Sequence, residues 1–182
     1  MAYSFFGVQV AFRRDPQDPL RSRLHQLIVQ HATGRQSVTA KQRFWARASE
    51  LLTMATFEYG DWDLVRGGNA QSKFNEWARA IEENATDPEA PEASARQTYV
   101  LATAMVLVGR GSNADQTLGI ECDIPESAWL TRQTFTRLIA IFPLLNFANV
   151  QADAIYVVPG VDRDGPSARD LVSEEYGLQP LT

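Results

Sequence analysis

Cysteine is almost absent: Cys122 is the only one among 182 residues, so no disulfide can form within the chain. A lone thiol fits a reducing compartment, and it leaves an apolar core to supply the stability. Histidine is nearly as scarce. His25 and His31 are the two present, and their separation along one helical segment does not bring both to one metal.

Positive charge is in deficit, with 17 Lys and Arg against 22 Asp and Glu, a net charge of −5. That argues against a general nucleic-acid binder, whose affinity rests on neutralising phosphates. Arg13, Arg14, Arg21 and Arg23 do cluster, at what reads as a solvated strand-to-helix corner. No apolar run approaches the roughly 18–20 residues of a helical membrane span. The first ten residues lack the basic and long apolar regions of a secretion signal, so a cytoplasmic protein is the expectation. Also missing are a phosphate-binding loop ending in Gly-Lys-Ser/Thr, a Gly-x-Ser-x-Gly nucleophile elbow and a zinc-ligand spacing.

What is present suits a globular α+β domain: 45% hydrophobic and 21% charged residues are ordinary values. The strongest signal runs from Gln97 to Val108. Both of its alternating sets, Tyr99/Leu101/Thr103/Met105/Leu107 and Val100/Ala102/Ala104/Val106/Val108, are largely apolar. A strand of that kind has to be covered on both faces and belongs in the middle of a sheet.

Phe5 to Phe12 alternates, with Phe6, Val8, Val10 and Phe12 on one face, and reads as a strand next to a sheet edge. Asp18-Pro19 opens a helix carrying Leu20, Leu24, Leu27, Ile28 and His31, which Gly34 ends. Thr39-Ala-Lys-Gln42 has the form of a capping box for a longer helix, its stripe being Phe44, Trp45, Ala48, Leu51, Leu52 and Ala55. The short link predicts a helical hairpin.

Asp61 to Gly68 reads as a loop holding Trp62 and Leu64, and Phe74, Trp77, Ala78 and Ile81 as a third helix. Residues 86–95 form an acidic, proline-bearing connector. After the central strand, Thr117 to Cys122 reads as a brief strand and Thr131 to Phe142 as a helix with Phe135, Leu138 and Ile139 inward. Val150 to Val158 reads as the last strand, and Ser167-Ala-Arg-Asp170 caps a final helix ended by Gly177.

The expected architecture is thus one α+β domain over 1–182, a small sheet of three to four strands covered by helices, in the order β-α-α-α-β-(β)-α-β-α. A helical first half (about 18–84) meets a βαβ-like second half (97–182), in which a parallel neighbour for the central strand is permitted.

Candidate chemistry is sparse. Trp45 and Trp77 fall on helical stripes and read as core. Trp62, between two aspartates, and Trp129, just before a helix, have no such stripe. Aromatics flanked by charge mark contact surfaces, unless each ring folds down to plug the rim of the core. Gly109-Arg110-Gly111-Ser112-Asn113 follows a buried strand, where glycine-rich turns hold phosphates, but the reading places no helix directly after it to aim a dipole at an anion. Asp162-Arg-Asp164-Gly165 begins like a calcium loop without the later ligands, and reads as a solvated turn. His31 reads as a packing residue and Cys122 as a buried, inert thiol.

Val8-Gln-Val-Ala-Phe12, Tyr59-Gly-Asp-Trp62, Ala70-Gln-Ser-Lys-Phe-Asn75, Tyr99-Val-Leu-Ala-Thr103 and Ala154-Ile-Tyr-Val-Val-Pro159 together resemble the domain-of-unknown-function family 1517 of cyanobacteria and chloroplasts, as does the closing Asp170-Leu-Val to Tyr176-Gly-Leu. The resemblance implies an α+β domain and brings no catalytic residues. Two departures stand out. The family's usual anchoring and glycine/serine-rich region before the domain is not expected here, so its membrane or plastid placement does not carry over, and the strand ends Val157-Val158-Pro159 rather than Trp-Thr-Pro.

The functional expectation is a non-catalytic protein-interaction or scaffolding domain, using Trp62 and Trp129 to bind a protein partner or a second copy, with no cofactor or metal. The alternative is a small-anion or nucleotide-binding enzyme or sensor built on Gly109, Arg110, Gly111, Ser112 and Asn113.

Overall fold

The computed structural model of the chain describes residues 2–34, 36–85, 98–159 and 165–182; the acidic connector at 86–95 and the turn at 162–164 lie outside them. Eleven elements follow in order: β1 (Tyr3–Arg13), α1 (Leu20–Thr33), α2 (Val38–Thr53), β2 (Tyr59–Arg66), α3 (Ala70–Ala85), β3 (Tyr99–Gly109), α4 (Asn113–Glu121), α5 (Arg132–Ile139), β4 (Val150–Val158), α6 (Ala168–Leu171) and β5 (Gln179–Pro180). The strands form one five-stranded antiparallel sheet in the order β4-β3-β1-β2-β5. Among the described residues no helix is long and apolar enough to cross a membrane.

β3 is buried from Tyr99 to Val108, as its two apolar faces require, with strand neighbours on both sides. Its even-numbered residues join Phe6, Val8, Val10 and Phe12 in the main core, under α1, α2, α4 and α5. Its odd-numbered residues face the other way. Met105 and Leu107 pack with Phe5 against Trp77 and Ile81 of α3, and Tyr99 and Leu101 against Leu171 and Leu178 near α6. Two helical layers therefore enclose the sheet.

Several expectations are corrected. The sheet has five strands, not three or four, and β1 is its middle strand rather than the neighbour of an edge. Its second face, carrying Phe5 and Ala11, is also covered by other elements, except at the half-buried Gln9. Residues 61–66 are strand, not loop: β2 pairs with β1 from Ser4↔Arg66 to Ala11↔Tyr59, and that ladder outweighs two aspartates of poor strand propensity. Residues 117–121 are helix, because Ala114, Leu118 and Cys122 recur every four positions and all enter the main core.

Ser37, not Thr39, caps α2, its side chain accepting from the Ala40 amide. The link from β3 to β4 is helical, yet β4 starts beside the end where β3 leaves, with Val150 paired to Val108, so the two run antiparallel rather than parallel. β4 itself and the Ser167–Asp170 capping box stand where the sequence places them. The α1 cap does too: the Leu20 amide donates to Asp18 Oδ1 at 2.9 Å.

Two strand glycines make room for aromatic rings. A Cβ at Gly60 would stand 2.5 Å from Cε1 of Phe135, and one at Gly7 would stand 2.6 Å from Cζ of Phe5 and 2.7 Å from Cζ3 of Trp77. All three rings belong to packed clusters with little space to retreat. Gly60→Ala and Gly7→Ala are each expected to cost about 1–3 kcal/mol by overpacking. Urea unfolding should show this as a lower midpoint with an unchanged slope.

Candidate functional site

The ladder between β1 and β2 decides which way β2 presents its backbone. The Gly67 amide donates to the Tyr3 carbonyl at 2.9 Å, and the Leu181 amide to the Glu58 carbonyl at 2.9 Å. Because antiparallel residues alternate between inward and outward bonding, the amides and carbonyls of Trp62, Leu64 and Arg66 point away from β1. On that outer side β5 reaches only Tyr59 and Gly60. Among the described residues no strand pairs with the outer side of the stretch from Asp61 to Arg66. Unpaired edge backbone of this kind is a template for another chain.

The structure brings the two tryptophans singled out in the sequence together beside this edge. Trp62 and Trp129 meet edge to face, their ring centres 5.9 Å apart at 86°. Trp62 is partly buried against the rim of the main core. Trp129 follows a short 3-10 turn (Glu126–Ala128), and its indole N–H donates to the Ile124 carbonyl at 2.8 Å. With one side of each ring occupied, Trp129 remains 42% exposed beside Leu130, itself 41% exposed. Trp62 thus packs on the rim of the core, while Trp129 keeps an exposed side. The strand under Trp62 has one signal in the sequence, the alternation of Trp62 and Leu64 with Asp61 and Asp63.

The Gly109–Asn113 turn does lead into a helix. Ser112 is the N-cap of α4, its hydroxyl accepting from the Asp115 amide at 3.3 Å, and Ser112-Asn-Ala-Asp115 is the pattern that announces it. The anion at this helix start is the chain's own carboxylate. Asp115 Oδ1 accepts from the buried Ser4 hydroxyl at 2.6 Å, and Oδ2 from the Gly111 amide at 2.9 Å. Arg110 and Arg66 both come within 3.4 Å of it. Burial by itself would raise this carboxyl, but the Ser4 and Gly111 hydrogen bonds and the two guanidinium groups bring it below the ordinary carboxylate value. A phosphate arriving at Gly109, Arg110, Gly111, Ser112 and Asn113 would have to displace Asp115 from these donors.

The remaining candidates are structural. His31 stacks on Phe44 at 3.9 Å, and burial lowers its pKa. Cys122 is buried, which pushes its thiol up to about 12, far from a reactive thiolate. No group of three His, Cys, Asp or Glu able to hold a metal occurs among the described residues. The arginine corner is of mixed sign: Asp15 and Asp18 line the same hollow as Arg13, Arg14 and Arg21, and Arg13 is paired with Glu58 at 2.5 Å.

Compared with known proteins, the chain matches no family model, no curated protein and no solved structure.

Proposed function

We propose that this domain binds a protein partner by strand addition along Asp61–Arg66, with the Trp62–Trp129 pair as anchor. The observation that carries the reading is an edge-to-face tryptophan pair, partly exposed, beside strand backbone that no described strand pairs on its outer side. Main-chain hydrogen bonds would supply affinity and alternate side chains specificity. Trp62 and Leu64 occupy one face of the edge, and Asp63, with its side chain 38% exposed and 3.9 Å from the Lys73 ammonium, the other. The matching occupant is an extended segment with apolar residues toward the tryptophans and a basic residue toward Asp63.

The other edge, β4, carries an inward-pointing charge. Asp153 is held by Lys41 and by the Trp45 indole N–H, a device that discourages edge pairing. The resemblance to family 1517 adds no residue to this proposal, and the anion-binding alternative must contend with Asp115 in its site.

The test uses fluorescence anisotropy with labelled peptides of alternating Lys and Val, and of alternating Glu and Val. The Lys peptide is expected to bind, and Trp129→Ala to weaken it by about 30-fold, the effect of losing an aromatic hot spot. Equal affinity for both peptides, or binding untouched by Trp129→Ala and Trp62→Ala, would overturn the proposal.

A further inference from the structure

On the face of the sheet under α3 one row is polar on each of β2, β1, β3 and β4. The registers align Asp61 of β2, Gln9 of β1, Thr103 of β3 and Tyr156 of β4 across four strands. The rows on either side place Gly7, Met105 and Ala154, or Ala11, Leu101 and Val158, at the corresponding positions of β1, β3 and β4. Polar groups in the middle of a covered sheet cost free energy unless they are satisfied. Here Gln9 Nε2 donates to Thr103 Oγ1 at 3.2 Å, and the Tyr156 hydroxyl to Glu82 at 3.4 Å.

Gln9 is also the one residue of β1 between Ser4 and Phe12 that is not buried. A cleft of about 210 Å³ reaches it, running between α3 and the turn at Glu175 and Tyr176. So the most central strand of the molecule is open to solvent at the one polar position between Phe5 and Phe12.

We propose that this cleft binds a small organic cation, a primary or quaternary amine. Sites for drug-sized ligands occupy about 300–1,000 Å³, so this smaller space suits a metabolite-sized one. Its charge selects the class. Asp61, Glu76 and Glu175 line it against a single ammonium, Lys73, whose Nζ is already 3.4 Å from Glu76 and 3.9 Å from Asp63. An anion would meet net repulsion there.

Trp77 and Tyr176 also line the cleft, and aromatic rings are the partner a desolvated cation prefers. A bound cation would offset the burial of the charged Asp61 carboxylate. Burial, and then the neighbouring Asp63, push its carboxyl above the ordinary range, against the Trp62 amide and Lys73. The cleft lies on the opposite face of the sheet from the tryptophan pair, and Asp61 is the one residue it shares with the Asp61–Arg66 edge.

Calorimetric titration of the full chain with butylamine, 1,4-diaminobutane and tetramethylammonium tests the proposal, with butyrate as the anionic control. At least one amine is expected to bind at millimolar concentration or below and butyrate not to bind. Asp61→Asn should weaken the amine about tenfold or more, because a charge-assisted contact is lost.

Should Asp61→Asn fold poorly, Ala80→Phe decides. Ala80 is exposed on α3 and lines the cleft, so a ring there blocks entry while leaving the core alone. No amine binding, or binding equal in both variants and the parent, overturns the proposal. Lys-peptide binding should survive Ala80→Phe, which separates this site from the β2 edge.

Discussion

Replacing Trp45 by alanine is expected to lower the unfolding free energy by about 3–5 kcal/mol, the usual cost of emptying a large aromatic site. Trp45 is 1% exposed and sits at the centre of a ring cluster. It stacks on Phe142 at 4.6 Å and 12°, meets Phe44 edge-on at 5.5 Å, and reaches Phe147 at 6.4 Å. Aromatic pairs of this kind add about 0.5–1.5 kcal/mol each beyond the area they bury.

The ring also ties three elements together. Its indole N–H donates to Asp153 Oδ2 at 3.0 Å, so α2 is fastened to β4 while the ring itself fills the space under the turns around Phe142 and Phe147. Against a typical total of about 5–15 kcal/mol, the loss removes a large share of the stability. Scanning calorimetry should show a melting temperature lower by about 6–20 °C for a chain of this size. Trp45→Phe keeps most of the volume and loses the indole hydrogen bond. Its smaller cost separates packing from the Asp153 contact, and equal losses for both variants would place the effect in that hydrogen bond instead.

Asp115→Ala carries the second large effect, about 2–4 kcal/mol. The Ser4 side chain is fully buried and would be left without its acceptor, at a cost of about 1–3 kcal/mol. The Gly111 amide loses its carboxylate as well. Arg66 and Arg110 are 37% and 43% exposed at the side chain, so water replaces much of what they lose and they add little.

The same carboxylate makes stability depend on pH. Its folded pKa lies below the unfolded value of 3.8. Between the two values the unfolded chain binds more protons, so stability rises with pH there. The contribution is fully present above the ordinary carboxylate range and is lost as pH falls through the folded value. Urea midpoints measured from pH 6 down to about pH 3 should fall more steeply for the parent than for Asp115→Asn, which has no proton to gain at that site. Parallel curves would show that Asp115 is not the group responsible.

The sequence by itself determined the elements whose signal is local and repeated. A run apolar at both parities placed β3 in the interior, and alternation identified the core face of β1. The bounds of β4 and the Ser167–Asp170 cap were also legible, because each depends on residues a few positions apart. Trp62 and Trp129 could be picked out one at a time, as rings without a helical stripe to explain them.

Tertiary structure decided everything that depends on register. β2 became a strand because β1 offered it a partner for eight residues, not because Asp61 and Asp63 favour one. Residues 117–121 became helix because Ser112 caps them and the core takes every fourth residue. The contact between Trp62 and Trp129, the seat of Asp115 among Ser4, Gly111, Arg66 and Arg110, and the row from Asp61 to Tyr156 each join residues far apart in the chain. Periodicity records which side of an element is buried. Which residues of other elements stand opposite is set by strand pairing and packing, and on this molecule both candidate binding surfaces are made of such pairs.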